Sequence, residues 1–165
     1  MDEATAELIG ENDVWLSTQP FLDDEDAARI PEASPNWAKF LQVVQGTDIA
    51  YGFAMKHKLK TAWGTDTLFD QKLAARQGAQ LSKMRRWYRP AEVLKMATRV
   101  NGELLAMSGP RNPYPGKLGI VEVGALADLL LVDGDPISNL DLVADPHKNF
   151  LVIMKGGQVF KNALV

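Results

Sequence analysis

The run Thr61-Ala62-Trp63-Gly64-Thr65-Asp66 ends on a carboxylate, with Thr67, Leu68 and Phe69 directly behind it. Its apolar start reads as a buried strand that delivers Asp66 at the strand's C-terminal end. In α/β sheets and barrels that end is where ligands and chemistry are placed. Gly64 leaves room for a close neighbour just before the acid, and Thr65 and Thr67 flank it with hydroxyls. A strand-end aspartate also caps helices, so position alone leaves both roles open.

Other chemistries are excluded or unsupported. There is no cysteine, which removes disulfides, thiolate zinc sites and a thiol nucleophile, and fits a reducing compartment. Neither a Gly-x-Ser-x-Gly elbow nor a phosphate-cradling glycine loop is present. The acidic run Asp23-Asp24-Glu25-Asp26 lacks the alternating oxygens and central glycine of a calcium loop, so it reads as solvated loop. Net charge is −3, from 18 basic and 21 acidic residues. No basic stripe interleaved with aromatics accompanies it, so nucleic acid is not expected as a partner. No apolar stretch is long enough to span a membrane, and the N-terminus has no signal-peptide pattern; the expected location is cytoplasmic. With 46% hydrophobic and 24% charged residues, the 165-residue chain is globular and large enough for one good core.

The elements around Asp66 follow from periodicity. Residues 2–11 suit a helix capped by Asp2 and closed by Gly10 or Asn12. The chain thus opens directly inside a helix, as a truncated polypeptide does. Residues 14–19 read as a strand stopped by Pro20. A long helix begins near Ser34 as N-cap with Pro35 at its first position. It carries Trp37, Leu41, Val44, Tyr51 and Met55 at near-helical spacing, with Lys56, Lys58 and Lys60 at its end. The strand 61–66 then completes a βαβ unit, which implies parallel neighbours and a right-handed crossover.

Two further helices, 71–87 and about 89–109, follow, the second bending at Asn101-Gly102. After Pro110, Pro113, Pro115 and Gly116 the texture turns to β: 118–121, 127–132, 150–154 and 158–161. The last two are joined by Gly156-Gly157, a two-glycine hairpin turn. Asp128 reads as a structural hydrogen-bonding or edge residue, and Gly116, Gly119 and Gly124 as turn glycines.

The stretch Gly116-Lys117-Leu118-Gly119-Ile120-Val121-Glu122-Val123-Gly124-Ala125-Leu126-Ala127-Asp128-Leu129 resembles the G-x-L-x…G-x-x-A-D-L signature near the C-terminus of metal-dependent amidohydrolases, in the imidazolonepropionase-like and Xaa-Pro dipeptidase-like branch. Met96-Ala97-Thr98-Arg99-Val100-Asn101-Gly102-Glu103-Leu104-Leu105 is similar to the family's A-T-x-N-x-A-x-x-L helix, with Gly102 where proline is frequent. The hairpin from Val152 to Phe160 is similar to its V-x-V-D-G-x-x-V ending.

The resemblance implies an α/β fold: the last two βα units of a (β/α)8 barrel plus the C-terminal half of a small β-sandwich. Residues 14–19 and 61–66 would be barrel strands seven and eight. Residues 1–109 would belong to the barrel and 110–165 to the composite sandwich. A whole barrel takes roughly 250 residues, so the chain would be a truncated portion of one.

In the family the strand-eight aspartate binds a divalent metal, most often zinc, and takes a proton from the metal-bound water that attacks an amide or related carbonyl. Asp66 stands at that position. Thr18 and Gln19, at the end of the first strand, and Thr67 and Phe69, beside Asp66, are candidates for contacting a small amide or dipeptide-like substrate. The remaining family ligands, a His-x-His pair and two further histidines, find no counterpart. His57 lies just before the strand that Asp66 ends, at its opposite end, and His147 lies in a loop of the small module. An open zinc site needs about three protein ligands, so the chain alone is expected to bind no metal stably and to be inactive. Its expected partners are a missing N-terminal barrel portion or further copies associating through exposed strand edges. The alternative is a non-catalytic oligomerising or binding module derived from such an enzyme.

Overall fold

The computed structural model describes residues 1–27, 30–68 and 70–164 and mixes helix with strand. It divides into two compact units, Met1–Leu73 and Ala74–Val165. No described helix is long and apolar enough to cross a membrane.

The first unit holds α1 (Glu3–Glu11), β1 (Leu16–Thr18), α2 (Trp37–Lys56) and β2 (Thr61–Trp63). β1 and β2 pair in parallel, with Leu16, Ser17 and Thr18 opposite Thr61, Ala62 and Trp63. Parallel neighbours need a crossover, and α2 supplies it, so the strand–helix–strand reading holds. Both strands are shorter than the runs 14–19 and 61–66. The chain leaves the ladder after Trp63, and Asp66 turns it with φ 52°, a left-handed value no strand accommodates. Asp13 and Lys58, which precede β1 and β2, are also left-handed, at 54° and 52°.

Asp2 caps α1 as its type predicts, its carboxylate accepting from the Thr5 amide at 2.9 Å. α2 starts later than expected. Ser34 does not cap it: the Ser34 hydroxyl accepts from the Asn36 amide at 3.2 Å and its carbonyl from the Trp37 amide at 3.0 Å. Ser34 therefore closes a turn of its own, a local competition typical of serine, and the helix begins after it. The core of this unit is Ala6, Tyr51, Ala54 and Ala62 with Thr47 and Thr61. Of the apolar stripe read along α2 only Tyr51 is buried, and Met55 is exposed.

The expected helix 71–87 is three pieces: α3 (Gln71–Ala74), α4 (Gln77–Ser82) and a 3₁₀ turn, Lys83–Arg86. Arg76, at φ −110° and ψ 32°, breaks it. In the second unit α4 packs on the 3₁₀ turn Leu140–Val143. Gly78 permits that approach, since a Cβ there would collide with the Val143 carbonyl. Leu81, Met84, Val93, Met96, Leu140 and Val143 are the buried apolar residues of this unit.

α5 (Pro90–Lys95) continues into a π-helical turn, Met96–Val100, and then α6 (Asn101–Ala106). The irregularity lies one turn before the Asn101-Gly102 bend read from the sequence. Two neighbours account for it. The Thr98 hydroxyl donates to the Leu94 carbonyl at 2.7 Å, and the backbone of Gly119 lies against the Thr98 carbonyl and the Arg99 amide, where a Cβ would collide.

Residues 118–121 are not a strand, in contrast to the reading above. The only pairing nearby among the described residues is an isolated bridge just outside the segment, between Lys117 and Ala125, and Val121 is 87% exposed, so the segment's apolar content has no sheet face to cover. The remaining β segments form a three-stranded antiparallel sheet, β3 (Leu129–Val132), β4 (Phe150–Lys155) and β5 (Gln158–Asn162), in that order. Gly156 and Gly157, at φ 56° and 81°, make the expected hairpin turn, which needs two left-handed residues. Asp128 pins it, its carboxylate accepting from the Gly156 amide at 2.6 Å.

Candidate functional site

β1 and β2 run in parallel, so their C-terminal ends open at the same side of the sheet. Thr18 is the last residue of β1 and sits opposite Trp63, the last of β2. Asp66 follows three residues on, within ~10 Å of chain at strand spacing. The topology thus brings the polar end of the first strand and the carboxylate of the second to one edge. Thr18, Gln19 and Thr67 are half-buried and Asp66 is exposed. The hydroxyls of Thr65 and Thr67 lie 3.2 Å apart, bracketing the acid. Phe69 lies outside the described residues.

A left-handed aspartate is tolerated because its short polar side chain suits that region, yet non-glycine residues there are uncommon and cluster at functional sites. The turn at Asp66 falls three residues beyond Trp63, the last residue of the ladder.

Tyr51 is the residue of this edge whose polar role periodicity did not disclose. It reads as one more apolar stripe position of α2, but its ring is fully buried and its hydroxyl donates to the Thr18 carbonyl at 2.7 Å. The signal was available: a tyrosine on a buried helix face must find a partner for its hydroxyl.

The histidines take other roles. His57 caps the end of α2, and its Nε2 lies 2.6 Å from a carboxylate oxygen of Glu3, which also accepts from Lys56 at 2.8 Å. Glu3 thereby ties the start of α1 to the end of α2. The hydrogen bond from Lys56, with a lesser one from His57, holds its carboxyl below the usual range. His57 precedes β2 and Asp66 follows it, so they occupy opposite ends of that strand. His147 is exposed in α7 (Pro146–Asn149).

Among the described residues no three histidine or carboxylate side chains gather to hold a metal ion. One carboxylate can fill only one position of a metal's shell.

A separate cavity of about 450 Å³ opens in the second unit between α6 and the 116–122 loop. Its charges are matched in pairs, Arg99 with Glu103 at 2.8 Å and Lys117 with Glu122, which marks it as a solvated crevice.

No family model matches the sequence, and no curated protein is similar to it. Solved structures are. The crystal structure of an amidohydrolase aligns with 100% of this chain at 28% identity and a TM-score of 0.79. A prolidase crystallised with N-methylphosphonate-L-proline aligns with 98% of it at 26% identity and the same TM-score. An ochratoxinase from A. niger, 23% identical over 99% of the chain, shares the fold with a TM-score of 0.79. The chain spans 38% of the first two and 36% of the third. The resemblance read from three sequence motifs is thus met in structure: along its length this chain is built like part of an amidohydrolase.

Proposed function

We propose that this chain is the C-terminal portion of a metal-dependent hydrolase that cleaves carbon–nitrogen bonds of amide, cyclic amide or peptide-like substrates. In this reading β1 and β2 are the seventh and eighth strands of a (β/α)8 barrel. Residues 1–109 complete the barrel and 110–165 supply half of a small β-sandwich. The observation that carries it is the parallel register of β1 and β2, which sets Thr18, Gln19 and Asp66 at one sheet edge. The prolidase and amidohydrolase likenesses support the bond class.

Asp66 contributes one carboxylate to a divalent metal, zinc by preference, whose other ligands come from polypeptide outside this sequence. A metal so held lowers the pKa of water and polarises a carbonyl. The Asp66 carboxylate accepts the attacking water's proton, while Thr18, Gln19 and Thr67 orient the substrate. The chain by itself has too few ligands to sustain that chemistry.

The test joins this chain to the polypeptide encoded directly upstream and measures metal content and alanyl-proline hydrolysis. Bound zinc and turnover are expected, with both lost in Asp66→Asn. An upstream segment without a His-x-His strand, or unchanged metal and rate in the variant, overturns the proposal.

One observation favours a second reading, an oligomerising module without chemistry. Leu130 is 56% and Phe160 64% exposed, on the two edge strands of the sheet, and exposed apolar edges recruit other chains. A defined oligomer of the chain alone, with no metal and no hydrolysis in the joined protein, would select it.

A further inference from the structure

We infer that Tyr51 is a positioning residue for the substrate end of the site, setting the mouth of β1 against the loop that carries Asp66; the inference rests on the function proposed above. Three observations converge. The Tyr51 ring is fully buried in the first unit, so its hydroxyl needs a partner within the protein. That hydroxyl donates at 2.7 Å to the carbonyl of Thr18, the terminal residue of β1. Thr18 in turn is registered opposite Trp63, three residues before Asp66.

A strand three residues long has few ladder bonds of its own, so this tether from α2 adds to β2 in holding its last peptide. Beyond Thr18 the chain turns at once: the Phe21 amide donates to the Gln19 carbonyl at 2.9 Å, and Pro20, buried, has no amide to give. The orientation of the Thr18 and Gln19 side chains therefore follows from where the Thr18 carbonyl is fixed. Tyr51 is assigned no contact with substrate or the reacting atoms. It acts through Thr18, by the side-chain and backbone geometry that a well-oriented reactant requires.

Tyr51→Phe removes the hydroxyl and keeps the ring. In the joined protein it is expected to raise KM for alanyl-proline about tenfold, leave kcat within threefold and leave metal content at the wild-type value. A KM equal to wild type, or KM, kcat and metal content all collapsing with the melting temperature, overturns the inference. Asp66→Asn in the same assay tests the proposed function separately, because it acts on metal and kcat. A second arm needs no activity. In the present chain, amides of Leu16–Thr18 should exchange with deuterium about tenfold faster in Tyr51→Phe, with the rest of the first unit unchanged. Equal exchange rates in the two proteins overturn the tether.

Discussion

The two units differ in where their informative residues point. In the first unit the residues at the sheet's open end, Thr18, Gln19 and Asp66, are exposed or half-buried, with Thr18 tied to Trp63 opposite it and to the Tyr51 hydroxyl. In the second, residues inside the stretches that resemble family motifs are fasteners. Gly119 lets a loop lie on the π turn, Asp128 pins the β4–β5 hairpin, and Gly102, where a Cβ would come within 2.8 Å of the Leu118 carbonyl, admits that loop to α6. A motif legible in sequence need not mark chemistry. It can mark where two backbones touch.

Substitutions can break this contrast. The largest effect is expected at Gly119, where alanine adds both a collision with backbone and strain at φ 71°. Loss of about 3 kcal/mol or more should appear as a lower urea midpoint. A neutral Gly119→Ala would mean the loop is not fastened there. Asp128→Ala should cost ~1 kcal/mol through the lost acceptor for Gly156, measured the same way. It should leave the helical signal intact if the residue serves only the hairpin.

In the first unit the pH dependence of Glu3 sharpens the comparison. Its carboxyl is held below the ordinary value of 4.5 by Lys56 first and His57 second. A depressed folded pKa stabilises the fold above that value, and the contribution is lost as pH falls through the folded pKa. Wild type should therefore melt above Glu3→Gln at neutral pH, and the two curves should merge in acid below about 4.5. The smallest effect belongs to Asp66→Asn, whose stability should stay within ~0.5 kcal/mol of wild type. A large loss there would make Asp66 a fold residue after all.

What the sequence disclosed was decided by how local each signal is. Asp2 as a cap, the two-glycine hairpin and the strand–helix–strand order rest on neighbours a few residues apart, and all three stand in the structure. The start of α2 was misplaced because Ser34 had two local uses and turn closure took precedence. The π turn could not be read at all, since it depends on Gly119 arriving from about twenty residues further on. Residues 118–121 have strand composition but no partner, and pairing is not a property of composition. At the site, Asp66 was visible as a strand-end acid, whereas Tyr51 was hidden among apolar stripe residues because its hydroxyl contact spans 33 positions.

Three left-handed non-glycine residues among the described residues carry a practical consequence. Asp13, Lys58 and Asp66 each hold a backbone angle that glycine adopts without penalty. At Lys58, which serves only to turn α2 into β2, exchange for glycine should relax the kink and raise the melting temperature slightly. At Asp66 the same exchange would ease the backbone and erase the carboxylate. An engineer seeking a hardier protein has one of these corners to reshape and another to leave alone.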